Sequence, residues 1–100
     1  MSLRSDPWGD DPVTEWDEIN EEKVWAHGIK SWEVEECFEN HHWTVPHPRR
    51  RKDLKFKNRY VIAGTTDGGR HLLIVVEHLG GKTIRPITAR DGDRRELGIK

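Results

Sequence analysis

Between Arg59 and Arg90 the chain alternates short apolar runs with glycine pairs. Asp67-Gly68-Gly69 and Gly80-Gly81 cut it into three segments rich in β-branched residues, 59–65, 71–77 and 82–89. Tight hairpins need positions of positive φ, which glycine adopts without a side-chain penalty. The stretch therefore reads as three strands in an antiparallel meander. The middle run, His71-Leu72-Leu73-Ile74-Val75-Val76, is apolar at both parities. A strand apolar on both faces of its pleat is covered on both sides, which predicts the central position. Pro86 has no N–H to give to a ladder and pushes the third strand toward an edge or a bulge.

Upstream the pattern changes to a helical one. Asp17 suits the N-cap of a first helix over 17–27, with Glu18, Glu21 and Glu22 at its positive end and Gly28 where a left-handed cap is common. Its amphipathicity is weak: Ile19, Lys23 and Ala26 share a face, while Val24 and Trp25 lie elsewhere. Ser31 can cap a second helix to Glu39, where Val34, Cys37 and Phe38 fall at i, i+3 and i+4 as a core stripe. Residues 14–16 and 41–45 read as short strands. Residues 1–13 hold two prolines, a glycine and three aspartates and read as a flexible arm, with Trp8 the one residue suited to packing back. One domain over 14–96 follows, then a polar tail, 97–100. The order is α+β, two N-terminal helices followed by an antiparallel sheet.

Composition narrows the class. A hundred residues bury one core. No apolar run approaches the roughly 20 residues of a membrane span, and the start leads into no signal-peptide core, so a cytoplasmic protein is expected. The lone Cys37 excludes an internal disulfide framework. The net charge of −1 conceals an asymmetry: residues 1–40 carry three basic and twelve acidic side chains, residues 41–100 fourteen basic and six acidic. Such a chain can offer one half to a polyanion and the other to a basic partner.

Three groups of residues carry possible chemistry. Cys37, His41, His42 and His47 match no common structural zinc spacing, so the reading requires no metal and no cofactor. The segment 49–59 holds Arg49, Arg50, Arg51, Lys52, Lys55, Lys57 and Arg59; it is either a solubilising loop or a phosphate-contacting one, with Trp43, Phe56 and Tyr60 as stacking platforms. Arg70, Arg85 and Arg90 punctuate the sheet, and guanidinium groups fork onto phosphate oxygens. His27 is either the end of a helix or a histidine working on a substrate. Strict alternation puts Arg85 and Arg90 on opposite faces of a regular strand, unless a bulge at Pro86 shifts it.

Several of these pieces occur together in a known family. Trp16-Asp17-Glu18-Ile19-Asn20, His27-Gly28-Ile29 and Val34-Glu35-Glu36-Cys37-Phe38 come first. Arg59-Tyr60, Gly64-Thr65-Thr66-Asp67-Gly68-Gly69-Arg70 and Ile84-Arg85-Pro86-Ile87-Thr88-Ala89-Arg90-Asp91 follow in order. Over roughly 15–96 the chain resembles the BrnT-type ribonuclease toxins of type II toxin–antitoxin systems. The resemblance implies a RelE-like fold, with two helices on one face of a curved antiparallel sheet. It also implies a metal-independent endoribonuclease held in a hetero-oligomer by a ribbon-helix-helix antitoxin. The positions matching the family's site are His27, Arg70, Arg85, Thr88 and Arg90. Two other readings use the same residues: an RNA-binding module without chemistry, and an interaction module docking a basic partner on its acidic helices.

Overall fold

The computed structural model describes residues 6–98; residues 1–5 of the expected arm and 99–100 of the expected tail lie outside them. The chain runs β1 (Val13–Thr14), α1 (Glu18–Trp25), α2 (Ser31–Glu39), β2 (Trp43–Pro46), β3 (Arg59–Thr65), β4 (His71–Gly80) and β5 (Thr83–Asp91). Both helices are fixed at their starts by side chains. Asp17 Oδ1 accepts from the N–H groups of Ile19 and Asn20, and Asn20 Oδ1 accepts from Asp17 N–H at 2.7 Å. For α2 the cap is Lys30 rather than the expected Ser31, and Glu33 Oε1 accepts from its N–H at 3.0 Å.

The weak periodicity of α1 has a physical reason. Its buried residues are Val24 and the polar Asn20, while Ile19 is exposed. The face of Ile19, Lys23 and Ala26 is therefore not the packed one. The Asn20 amide donates to Glu15 O at 2.8 Å and to Pro86 O at 2.9 Å, tying α1 to β5 with both hydrogens used. In α2 the expected stripe of Val34, Cys37 and Phe38 is buried.

The five strands lie in the order β1-β5-β4-β3-β2, with β4 at the centre as its two-sided hydrophobicity predicted. The sheet is mixed rather than antiparallel throughout. β1 runs parallel to β5, its backbone bonding Lys82 O and Ile84 O through Val13 N–H and Glu15 N–H. The pairing joins segments about seventy residues apart, which no local pattern in Val13–Thr14 announces. Pro86 sits beside the bulge: Val75 pairs with Thr88 and Val76 with Pro86, leaving Ile87 as the extra residue. The core gathers Ile62, Leu72, Ile74, Val76, Ile84 and Ala89 from the sheet with Val24, Ile29, Val34, Cys37 and Phe38.

From Asp6 on, the expected arm is not free of the domain. Trp8 is buried in the core, edge-on to Tyr60 and His78. Asp6 Oδ2 lies 2.7 Å from His42 Nε2, and His42 Nδ1 lies 2.8 Å from Asn40 O. Burial pushes the His42 pKa down, but Asp6 and the Asn40 carbonyl outweigh it and the net shift is upward. A histidine whose folded pKa exceeds its unfolded one stabilises fully below the unfolded value, about 6.5, and stops doing so as pH rises through the folded value. Chemical unfolding from pH 6 to 8 is therefore expected to show stability falling with pH. Asp6→Asn should flatten that dependence, and an identical profile in the variant would remove His42 as its source.

Candidate active site

Leu73, Val75 and Glu77 alternate along β4 and share the face opposite the core residues Leu72, Ile74 and Val76. Their partners on β5 are Arg90, Thr88 and Arg85 in turn. The extra residue Ile87 shifts the alternation, so Arg85, Thr88 and Arg90 project from one face. On the same face β3 contributes Arg59, opposite Glu77, and β2 contributes Trp43, opposite Ala63. The proline that forbids a regular ladder is thus what aligns the row.

The members of the row are not equally free. Arg85 Nη1 lies 2.8 Å from Asp17 Oδ2 and 3.2 Å from Glu15 Oε1, with its side chain 20% exposed. The Arg85 guanidinium in turn holds the Asp17 carboxyl below the usual carboxylate range. Arg90 is 54% exposed and meets Glu96 Oε1 and Asp91 O, both at 3.0 Å. Arg59 pairs with Glu77 at 3.3 Å. Of the arginines on this face of the sheet, Arg90 is the most open to a substrate.

His27 and Arg70 stand apart from the row. Arg70 precedes β4 and forks onto Asp91, Nε to Oδ1 at 2.7 Å and Nη2 to Oδ2 at 3.0 Å. Its Nη1 donates to Gly28 O at 2.9 Å and faces Glu33 Oε1 at 3.5 Å. Arg70 therefore ties the turn between the helices, where Gly28 has φ 73°, to the end of β5. That ion pair holds the Asp91 carboxyl below its usual range, with a smaller contribution from His27. His27 is exposed on the turn. The five expected site residues thus form two groups, joined where Arg90 Nη1 donates to Asp91 O.

The basic segment has more structure than a loop. His47 Nδ1 accepts from Arg49 N–H and starts a 3-10 turn, Pro48–Arg51, and Asp53 starts another, Leu54–Phe56. Phe56 is buried against the His47 ring, 4.6 Å between centroids, with Arg49, Lys55 and Arg59 around it. Tyr60 is packed on Trp8. Of the three expected stacking platforms, Phe56 and Tyr60 are used internally. Arg49, Arg50, Arg51, Lys52, Lys55 and Lys57 are exposed, and among the described residues none has a carboxylate within 4 Å.

His71 and Arg94 join this face although nothing in their spacing marks them. His71 begins β4 on the face of Leu73 and Arg90, its Nδ1 3.2 Å from Thr65 Oγ1. Arg94 lies 4.4 Å from the centre of the Trp43 ring. Their parity and proximity depend on strand register and on the closing 3-10 turn, Arg94–Leu97, which spacing does not reveal. Cys37 is fully buried in the core, and burial pushes its thiol up to about 12. The family model of BrnT, the ribonuclease toxin of type II toxin–antitoxin systems, matches residues 16–96. No curated protein matches the chain.

Proposed function

The chain belongs to the BrnT family of type II ribonuclease toxins, and on that premise we propose that it is a metal-independent endoribonuclease whose RNA lies across the face of Arg85, Thr88 and Arg90. The arrangement proposed is RelE-like, with the helices on the core side of the sheet and RNA on the other. The observation that carries this reading is the register shift at Ile87, which turns a split pair of arginines into one row.

Cleavage begins when a 2′-hydroxyl attacks the adjacent phosphorus. The phosphorus becomes pentacovalent, its nonbridging oxygens gain charge, and the bond to the 5′-oxygen breaks. A 2′,3′-cyclic phosphate and a 5′-hydroxyl result. Arg90 holds the nonbridging oxygens with donors already in place, so that charge develops against a preorganised cation. Thr88 positions the phosphate with its hydroxyl. Arg85, held by Asp17 and Glu15, fixes the far end of the row. His27, on the turn that Arg70 ties to Asp91 at the end of β5, takes the 2′ proton or returns one to the leaving oxygen where the RNA rounds that end of the sheet. The test is incubation of a long RNA with the chain in excess EDTA. Cut RNA supports the reading; RNA bound but intact replaces it with the non-catalytic binding module.

The unpaired cations of 49–57 supply phosphate contacts beside the row. Single-strand binding weakens with salt by a log–log slope of about 0.7 per phosphate contacted. Changing Arg49, Arg50 and Arg51 to Gln is expected to flatten that slope by up to about 2. A slope unchanged in the triple variant would make the segment a solubilising loop.

A toxin of this type has an antitoxin partner; we assign it the ribbon-helix-helix type, in a cytoplasmic hetero-oligomer. Among the described residues no helix is long and apolar enough to cross a membrane. The docking surface proposed is the exposed Ile19, Trp25 and Trp32 with Glu18, Glu21 and Glu22 around them. Glu33, Glu35 and Glu36 are occupied within the fold: Glu35 accepts from Thr14 Oγ1 and Glu36 from Asp67 N–H, while Glu33 caps α2. Reversing Glu21 and Glu22 to Lys should slow association with the antitoxin and flatten its salt dependence. An unchanged association rate would move the antitoxin elsewhere.

A further inference from the structure

Beside Arg90, on the same face of the sheet, a cavity of about 360 Å³ opens between Trp43, Thr65, His71, Asp93, Arg94 and Arg95. The mechanism above makes no use of it. One wall is a layered aromatic platform: the His41 ring meets Trp43 edge-on with centroids 4.7 Å apart, and the Arg94 guanidinium covers the indole at 4.4 Å. Among the described residues Arg94 has no carboxylate within 4 Å, unlike Arg95, whose Nη2 lies 2.8 Å from Asp93 Oδ2. The platform is thus a flat cation backed by an indole and not neutralised by an acid. His71 brings an imidazole to the opposite wall, held through Nδ1 by the Thr65 hydroxyl at 3.2 Å.

Guanidinium planes and aromatic rings are the surfaces on which unpaired bases stack, and base edges are read by nearby donors and acceptors. We propose that this cavity is a subsite for one unpaired nucleotide of the RNA. The base stacks on the Trp43–Arg94 layer with its edge toward His71, and the exposed Arg95 takes the neighbouring phosphate. The subsite rests on the reading of the chain as an RNA-cleaving protein and deepens it. A base held in a duplex cannot enter such a stack, so the subsite directs the protein to single-stranded segments and sets the register in which a phosphate reaches Arg90.

The experiment uses the whole chain and a short 2′-O-methyl oligonucleotide, which binds but cannot be cut by 2′-hydroxyl attack. Affinity is measured for the intact strand and for strands made abasic at one position at a time. Wild type should lose roughly 5- to 150-fold at one position and far less at the others. Arg94→Lys keeps the charge but not the plane, and a melting curve measured beside each titration shows that the variant is folded. In that variant the penalty at the sensitive position should shrink toward that of the others. A flat abasic scan in wild type, or a full penalty retained in Arg94→Lys, overturns the subsite. If either occurs while a natural RNA is still cut in EDTA, the subsite alone falls. If wild type neither binds the strand nor cuts RNA, the ribonuclease reading falls with it.

Discussion

Arg90→Ala should lower the rate of RNA cleavage by roughly 100- to 1,000-fold, the usual cost of losing one preorganised charge donor, while barely moving the melting temperature. Arg90 is half exposed, and among the described residues its only carboxylate partner is Glu96, on the closing turn. Its removal leaves no buried charge behind. Arg85→Ala should behave in the opposite way. Its guanidinium bonds Asp17, which caps α1, and Glu15, next to the backbone bond that joins β1 to β5. Losing it loosens that corner, so the melting curve should shift down with most of the rate retained. Cleavage assays in EDTA with a melting curve for each variant separate the two roles. Equal rate losses with unchanged melting would make both arginines clamps, and an undiminished rate in Arg90→Ala would take the chemistry off this face.

Gly64→Ala is expected to destabilise the fold more than any surface change. Gly64 lies on β3 directly beneath α2, and a Cβ there would stand 2.6 Å from Cys37 Cβ, 3.2 Å from Cys37 O and 3.3 Å from Cys37 Cα. Two of these three atoms belong to helix backbone, so no rotamer relieves the clash and α2 must move off the sheet. Overpacking of this kind costs typically about 1–3 kcal/mol. For a chain this short, a loss near the upper end lowers the melting temperature by roughly 10–20 °C. The one cysteine reports the movement directly: its buried thiol should react slowly with an alkylating reagent in wild type and faster in the variant. An unchanged melting temperature and labelling rate would mean that α2 stands farther from β3 than described.

What could be read in the sequence was local. Strand Arg59–Thr65, the central position of β4, the Asp17 cap and the core stripe of α2 each depend on residues a few positions apart. The bulge was legible because proline has a definite chemical defect, the missing N–H, although whether the bulge would align Arg85 with Arg90 depended on its register. What stayed hidden was long-range. The parallel pairing of β1 and the fork of Arg70 on Asp91 involve partners that spacing does not connect; Trp8 is legible as a residue suited to packing back, but its partners Tyr60 and His78 are not. His71 looked like the edge of an apolar run, and Phe56 like a platform. The first gains its place from the strand register, and the second loses its role because His47 and three cations surround it.

RNA cut by its own 2′-hydroxyl on an arginine-lined sheet face leaves ends of one definite chemistry. The most direct measurement is the chemistry of the ends made by the wild-type chain in excess EDTA, on an RNA cut at one mapped position. Expected are a 2′,3′-cyclic phosphate upstream, a 5′-hydroxyl downstream, and no cut when the upstream ribose is replaced by 2′-deoxyribose. Products bearing a 5′-phosphate, cutting at the deoxy position, or cutting only when a divalent cation is restored would contradict that chemistry.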